Sequence, residues 1–308
     1  MAALHAAREA IAEAGWSKSD LKDAALVVGT SRGNAAGWLG PWPGRRPFRL
    51  MAASNTIHSE PASAISIEFG ITGPNHVVAS GCAAGLDAVG LAMMMLECGL
   101  ATRALAVAVD LPLVPMLLDQ YASSGLLSNS AKLDPYHSST TGFVPAEAAA
   151  AMAIESGEGN HPRLLHYACN SDAANPVGIP ADGGRSAELF HHDFTRGLSA
   201  LCPHATGTLV QAVADPAWMQ RAFTDAKPPL ILLKPFTGHT IGASGMLESA
   251  ILAGFMKRRR LPGNVKGLSV PQGFVAPHDS FEVAGPVAKV SNGMGGHNAI
   301  LVISPASE

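Results

Sequence analysis

Apolar runs of strand length recur along the whole chain, each closed by a turn and most followed by a segment of helix length. That grammar admits largely parallel sheets with helices on their faces, and therefore an α/β fold. The runs are "AALVVGTSRGN" (24–34), "NHVVAS" (75–80), "RALAVAVD" (103–110), "EAAAAMAIES" (147–156), "RLLHYACN" (163–170), "LILLKP" (230–235), "AKVSNGMG" (288–295) and "AILVIS" (299–304). "RALAVAVD" is continuously apolar between its first and last residues, as expected of a strand covered on both faces. Helices are expected near 3–14, ending at Gly15, near 61–69, from the Cys82 turn to about 100, and over 243–257. Residues 37–49, rich in Pro, Trp and Arg, read as an irregular loop. No low-complexity linker divides the chain, so it reads as one compact unit of two related halves, 1–158 and 159–308.

Composition narrows the function. With 308 residues, 47% hydrophobic and 15% charged, the chain can bury a large core. A formal net charge of −3 gives no electrostatic case for nucleic acid or an anionic membrane. No apolar run reaches the roughly 18 residues of a membrane span, and the amphipathic first segment does not read as a signal peptide. The cysteines Cys82, Cys98, Cys169 and Cys202 form no CxxC pair, so metal and disulfide use are not expected, and a reducing cytoplasm fits.

In "VVASGCAAGLDAVGLAMMML" (77–96), Cys82 sits among glycines and alanines where a strand becomes a helix. Backbone N–H groups at a helix start favour an anion and lower a thiol pKa. Core packing is the expectation for Cys98, Cys169 and Cys202, and for Met93, Met94 and Met95, whose alternative is an acyl tunnel lining. Two further glycine-rich stretches, "PHATGT" with His204 and "KPFTGHTIGASG" with Lys234 and His239, present imidazoles from tight loops. The other histidines considered, such as His5, His58 and His278, read as surface or satisfied core residues. A thiol with two imidazoles suits thioester chemistry: sulfur carries an acyl group while N–H groups hold a developing oxyanion.

These residues resemble the β-ketoacyl synthase family, the decarboxylating condensing enzymes of the thiolase superfamily. The resemblance rests on "ASGCAAG", "HATGT", "KPFTGHTIGASG", "GFVPAEAAAAMAIES", "NSDAANPVGIPADG" and "SNGMGGHNAILVI", in the family's order along essentially all of the chain. It implies a thiolase-like αβαβα layered fold with two pseudo-duplicated halves. The first half is expected to be shortened, because the family usually has a further segment ahead of this chain's first residue. It implies that Cys82 accepts an acyl group from acyl carrier protein, that His204 and His239 stabilise the enolate left by malonyl decarboxylation, and that Lys234 orders the site in a pair with Glu147. Backbone N–H groups of Cys82 and Met294 would form an oxyanion hole, Asn292, Met294 and Gly295 a gating turn, and Thr206, Thr208 and Thr237 substrate contacts. No metal or organic cofactor is implied, and the protein is expected as a homodimer or as a heterodimer with a related subunit. The alternatives are a chain-length-factor-like partner and a non-condensing acyltransferase or decarboxylase on the same fold. The turn departs from the family's Phe-Gly-Phe-Gly-Gly: Asn292 and Met294 stand at the phenylalanine places and His297 where threonine is common. Gln211-Ala212 likewise replace Gly-Asp, and Thr140-Thr141 replace Arg-Asp.

Overall fold

The computed structural model describes residues 1–39, 56–130, 132–157, 159–191 and 193–306. Two compact units emerge from the packing. The first comprises Met1–Ser123, Pro145–Gly157 and Thr240–Leu247, and the second Ser124–Val144, Glu158–His239 and Glu248–Glu308. A single cut near residue 158 therefore describes the division only in part, because 124–144 pack with the second unit and 240–247 with the first.

The first unit contains helices α1 (Ala2–Ala14), α2 (Lys18–Lys22), α3 (Ala35–Leu39), α4 (Glu60–Phe69), α5 (Ala84–Glu97) and α6 (Pro115–Ser123). Its strands are β1 (Ala25–Gly29), β2 (Asn75–Val78), β3 (Arg103–Asp110) and β4 (Ala148–Glu155). The irregular loop expected at 37–49 begins instead within α3, and from residue 40 it lies outside the described residues. The sheet order is β2-β1-β3-β4, with β1 parallel to β2 and β3, and β4 antiparallel to β3 from Arg103↔Glu155 to Asp110↔Ala148. Strand alternation sorts the two faces. Leu26, Val28, Leu105, Val107 and Val109 meet Ala3, Ala7 and Ile11 of α1 and Ala62 and Ile65 of α4. The opposite face carries small residues, and α5 lies close against β1 there. A Cβ on Gly29 would fall 2.3 Å from the Ala84 carbonyl oxygen at the start of α5.

The second unit holds β5 (Arg163–Ser171), β6 (Ala200–Cys202), α7 (Leu209–Ala222), α8 (Lys234–Thr237), β7 (Arg260–Leu261), β8 (Phe281–Glu282), β9 (Val287–Gly293) and β10 (His297–Ser304). Helix α9 (Ser244–Met256) begins in the first unit and continues in the second. The larger sheet has the order β5-β10-β9-β6; β10 is antiparallel to β5 and β9, and β6 is parallel to β9. Its core gathers around Trp218, whose ring stacks on Phe190 at 5.3 Å between centroids.

Two expectations fail for identifiable reasons. "LILLKP" is no full strand. Only Leu230 makes a bridge, to Leu201, because the Asn264 side chain takes over the ladder: its oxygen accepts from Leu232 N at 2.6 Å and its nitrogen donates to Leu230 O at 2.9 Å. Cys98 and Cys169 are exposed rather than core residues. Cys98 is the C-terminal cap of α5, and Cys169 lies on β5, an edge strand with an open face. The methionines split: Met93 and Met95 are buried and Met94 is half exposed.

Gly29→Ala is expected to destabilise the fold by about 1–3 kcal/mol, since neither strand nor helix backbone can yield at a close contact. Denaturant unfolding of the variant against the wild type measures this.

Candidate active site

Strand β2 leads through Gly81, at φ 60, into a single 3-10 turn, Gly81–Ala83, that runs straight into α5. The left-handed backbone at Gly81 is what makes glycine the natural residue there. Cys82 in this turn is half-buried. Ser80 Oγ donates to Asp87 Oδ2 in the first turn of α5 and ties the turn to the helix. Beside it, Asp110, the last residue of β3, ties the turn after β1 to Gly242. Its carboxylate accepts from Thr30 Oγ1 (3.0 Å), Ser31 N (2.9 Å), Arg32 N (3.2 Å) and Gly242 N (2.7 Å). Burial pushes the Asp110 carboxyl up in pKa, against the pull of these four donors. Around Gly242, a Cβ would lie 2.4 Å from Asp110 Oδ2, 2.7 Å from Ser31 N and 3.1 Å from Gly81 O. The turns after β1, β2 and β3 thus converge on one glycine. Sequence reasoning missed Asp110, although a lone acid closing an apolar strand was its signal.

In the second unit the two loop histidines come together. His204 and His239 are buried and their rings meet edge to face at 5.4 Å, with Phe143 edge-on to His239 at 5.1 Å. His239 N donates to Val144 O at 2.7 Å. Burial drives both imidazoles well below their ordinary pKa, and the nearby Lys234 and Lys289 charges add to that, so both rings are neutral at pH 7. His204 Nδ1 is buried and has no hydrogen-bond partner among the described residues. A neutral imidazole offers one N–H donor, the group that can hold an oxyanion. Ala205, which follows His204, has φ 46 in a position where an alanine is strained, and Asp215 Oδ2 holds it there by accepting from its N–H at 2.8 Å.

Lys234 does not pair with Glu147. Its Nζ donates to Glu248 Oε1 at 2.7 Å, while Glu147 is exposed and accepts from Leu113 N at 3.0 Å. A second ammonium, Lys289 Nζ, donates to Glu248 Oε2 at 2.6 Å and also to Pro203 O at 3.2 Å, immediately before His204. All three side chains are at most 1% exposed. Burial alone would raise the Glu248 pKa, but the two ammonium charges outweigh it and hold the carboxyl below its usual range. Cys202 Sγ donates to Glu248 Oε2 at 3.6 Å, and burial pushes this thiol up to about 12, so it is a neutral donor and no nucleophile. The clues to Glu248 and Lys289 were single charges inside the apolar stretches "SGMLESAILAGF" and "AKVSN".

The remaining expected residues are spent largely on structure. Asn292 is buried: its nitrogen donates to Ser186 Oγ (2.9 Å) and Asn298 Oδ1 (2.7 Å), and its oxygen accepts from Gln211 Nε2 (3.1 Å). So occupied, its side chain cannot swing as a gate. Gln211 also donates to Asp215 Oδ1 at 2.6 Å, which puts the residue at the family's glycine place to structural use. Thr208 Oγ1 caps α7 by accepting from Gln211 N at 3.3 Å, and lies 3.2 Å from Thr206 Oγ1. Thr237 Oγ1 donates to Gly238 O at 2.9 Å. Met294 is 41% exposed, and Gly295 follows it at φ 86.

Residues 1–159 match the beta-ketoacyl synthase N-terminal domain, and residues 162–267 match its C-terminal domain. The chain belongs to the beta-ketoacyl synthase family. Among curated relatives, "Actinorhodin polyketide putative beta-ketoacyl synthase 1" of Streptomyces coelicolor is 28% identical over 231 residues, covering 68% of this chain and 48% of that protein. "3-oxoacyl-[acyl-carrier-protein] synthase 2" of Staphylococcus aureus is 24% identical over 261 residues, 77% of this chain and 65% of that protein. The matches thus span less than two thirds of these relatives. A solved type II PKS ketosynthase in complex with its acyl-carrier protein and bound to the hexaketide has a TM-score of 0.88 at 23% identity, over 99% of this chain and 84% of that one. "The ishigamide ketosynthase/chain length factor" gives 0.87 at 20%, over 99% and 81%. The fold is therefore the mixed α/β, thiolase-like fold of ketosynthases.

Glu248→Gln strands two buried ammonium groups and is expected to cost about 3–5 kcal/mol, well above Lys289→Met, which leaves Lys234 and Glu248 paired; denaturant unfolding ranks the two. The depressed histidines also set a pH dependence. Below about 6.5 the unfolded chain takes up protons that the folded imidazoles refuse, so stability falls as pH drops through that value. Chemical denaturation between neutral and mildly acidic pH checks the sign, and His204→Asn with His239→Asn is expected to flatten the curve.

Proposed function

We propose that this chain catalyses decarboxylative Claisen condensation on carrier-bound thioesters. The observation that carries the reading is the pair of buried, neutral imidazoles, His204 and His239, in a family whose nucleophile position here is a cysteine, Cys82. The Cys82 thiolate attacks the acyl thioester of acyl carrier protein. The bond from the acyl carbon to the carrier's phosphopantetheine sulfur breaks, and that sulfur leaves with the proton Cys82 gave up. Malonyl carrier protein follows. Its bond to the carboxylate breaks, CO₂ departs, and the electron pair becomes an enolate whose oxygen is held by the N–H groups of His204 and His239. The enolate carbon attacks the acyl-Cys82 carbonyl; the tetrahedral oxyanion, held by the backbone N–H groups of Cys82 and Met294, collapses and expels the Cys82 thiolate. The product is a 3-oxoacyl chain two carbons longer.

Burial, reinforced by the positive charge of Lys234 and Lys289 on Glu248, keeps both imidazoles unprotonated and thus able to donate without first losing a proton. The cycle draws on thiol, imidazole and phosphopantetheine alone, with no further cofactor. The chain would work in the cytoplasm as a homodimer or beside a related subunit, in fatty acid, polyketide or polyene assembly. Retention of Cys82 favours the catalytic member of such a pair over a chain-length-shaping one. No described helix is long and apolar enough to cross a membrane.

Incubation with acyl carrier proteins followed by intact-mass measurement is expected to show one acyl adduct on the wild type and none on Cys82→Ala. Undiminished acylation of that variant rejects the assignment. His204→Ala and His239→Ala are each expected to slow CO₂ release from malonyl carrier protein about 100-fold or more while partly sparing acylation. Unchanged release would remove them from the mechanism.

A further inference from the structure

Arg32 lies in the turn after β1, at the same carboxyl edge of the parallel strands β1, β2 and β3 from which Cys82 emerges. Ligands of such sheets bind at that edge. Arg32 N donates to Asp110 Oδ1 at 3.2 Å, and its neighbour Ser31 shares Gly242 with Gly81, the residue before Cys82. The two turns are therefore neighbours by backbone contact. The Arg32 side chain is held by Tyr121: Nε donates to Tyr121 Oη at 3.2 Å, and the guanidinium carbon lies 5.8 Å from the ring centroid. Tyr121 is buried, and burial pushes its hydroxyl up in pKa; Arg32 opposes that, while negative charge on Cys82 and Asp110 adds to it. Arg32 and Cys82 thus act electrostatically on one hydroxyl.

The guanidinium itself is half-buried and underused. Of its five N–H donors only Nε–H is engaged, and no carboxylate pairs with it among the described residues. A partly desolvated guanidinium beside a saturated chain loses water and gains nothing, whereas beside an oxygen it recovers a charge-assisted hydrogen bond. We propose that Arg32 is a specificity-determining residue that selects acyl chains bearing a hydrogen-bond-accepting oxygen, a keto oxygen above all, over saturated chains of the same length. The proposal rests on acylation of Cys82 and adds the substrate class. Tyr121 is the positioning residue: its hydroxyl and ring fix the plane of the guanidinium.

The test loads the full chain with acyl-pantetheine thioesters of equal carbon number, either saturated or carrying a single oxo group at successive odd carbons, and follows adduct formation by intact mass. The wild type is expected to take at least one oxo chain about tenfold faster than the saturated chain, and Arg32→Met to bring that ratio close to one. Arg32→Lys, which keeps charge and stem but loses the planar fork, and Tyr121→Phe are expected to fall between; they carry the test if Arg32→Met fails to fold. A wild-type ratio near one, or a ratio that survives the substitutions at Arg32, overturns the proposal while leaving acylation intact. Absence of any adduct on the wild type overturns the acylation reading and this proposal with it.

Discussion

One buried carboxylate, that of Glu248, holds two ammonium groups at 2.6 and 2.7 Å. Charges so deeply buried persist only when matched in geometry, since desolvation otherwise exceeds what attraction returns. Here the match reaches outward. Lys289 also grips the carbonyl of Pro203, so the residue preceding His204 is fixed by the same cluster whose charge adds to burial in keeping the imidazole neutral. The excess of one cation over one anion is not neutralised by Cys202, whose thiol keeps its proton. That residual positive charge bears on both imidazoles and adds to the effect of burial in keeping them neutral. The cluster thus contributes both to the placement of His204 and to the electrostatics of the histidine pair.

The first unit solves a different problem, that of holding a thiol still. Rigidity at Cys82 is backbone rigidity: small residues let α5 press onto β1, Asp110 gathers N–H groups from two chain segments, and Gly242 lies where a side chain could not. A buried carboxylate with four donors is satisfied without a counter-ion.

Much of this was legible in the sequence. Helix α1 stops at Gly15, which takes the left-handed conformation that expectation required, and β3 spans the apolar run as read. The Cys82 turn and the two histidine loops stood out because glycine spacing exposes a tight turn without any knowledge of tertiary contacts. What could not be read was long-range pairing. Glu147 and Glu248 both lie in alanine-rich surroundings, and nothing local says which one reaches Lys234. Asn264 replaces a strand's partner from 34 residues away, counted to Leu230, and so a strongly apolar run forms no strand. Cys98 and Cys169 are exposed because a helix cap and an edge strand present them, facts of sheet order rather than of composition.

Ala205 shows what a single methyl group does to such a design. A glycine at φ 46 would wander among many backbone states whenever the loop loosened, and the imidazole beside it would wander too. With a Cβ present the favoured backbone regions lie at negative φ, so φ 46 persists only where a partner holds it, here the Asp215 carboxylate that accepts from the Ala205 N–H. The methyl thus makes the shape of the histidine loop answer to one buried carboxylate: without that grip the strain at Ala205 would relax and carry its neighbour with it.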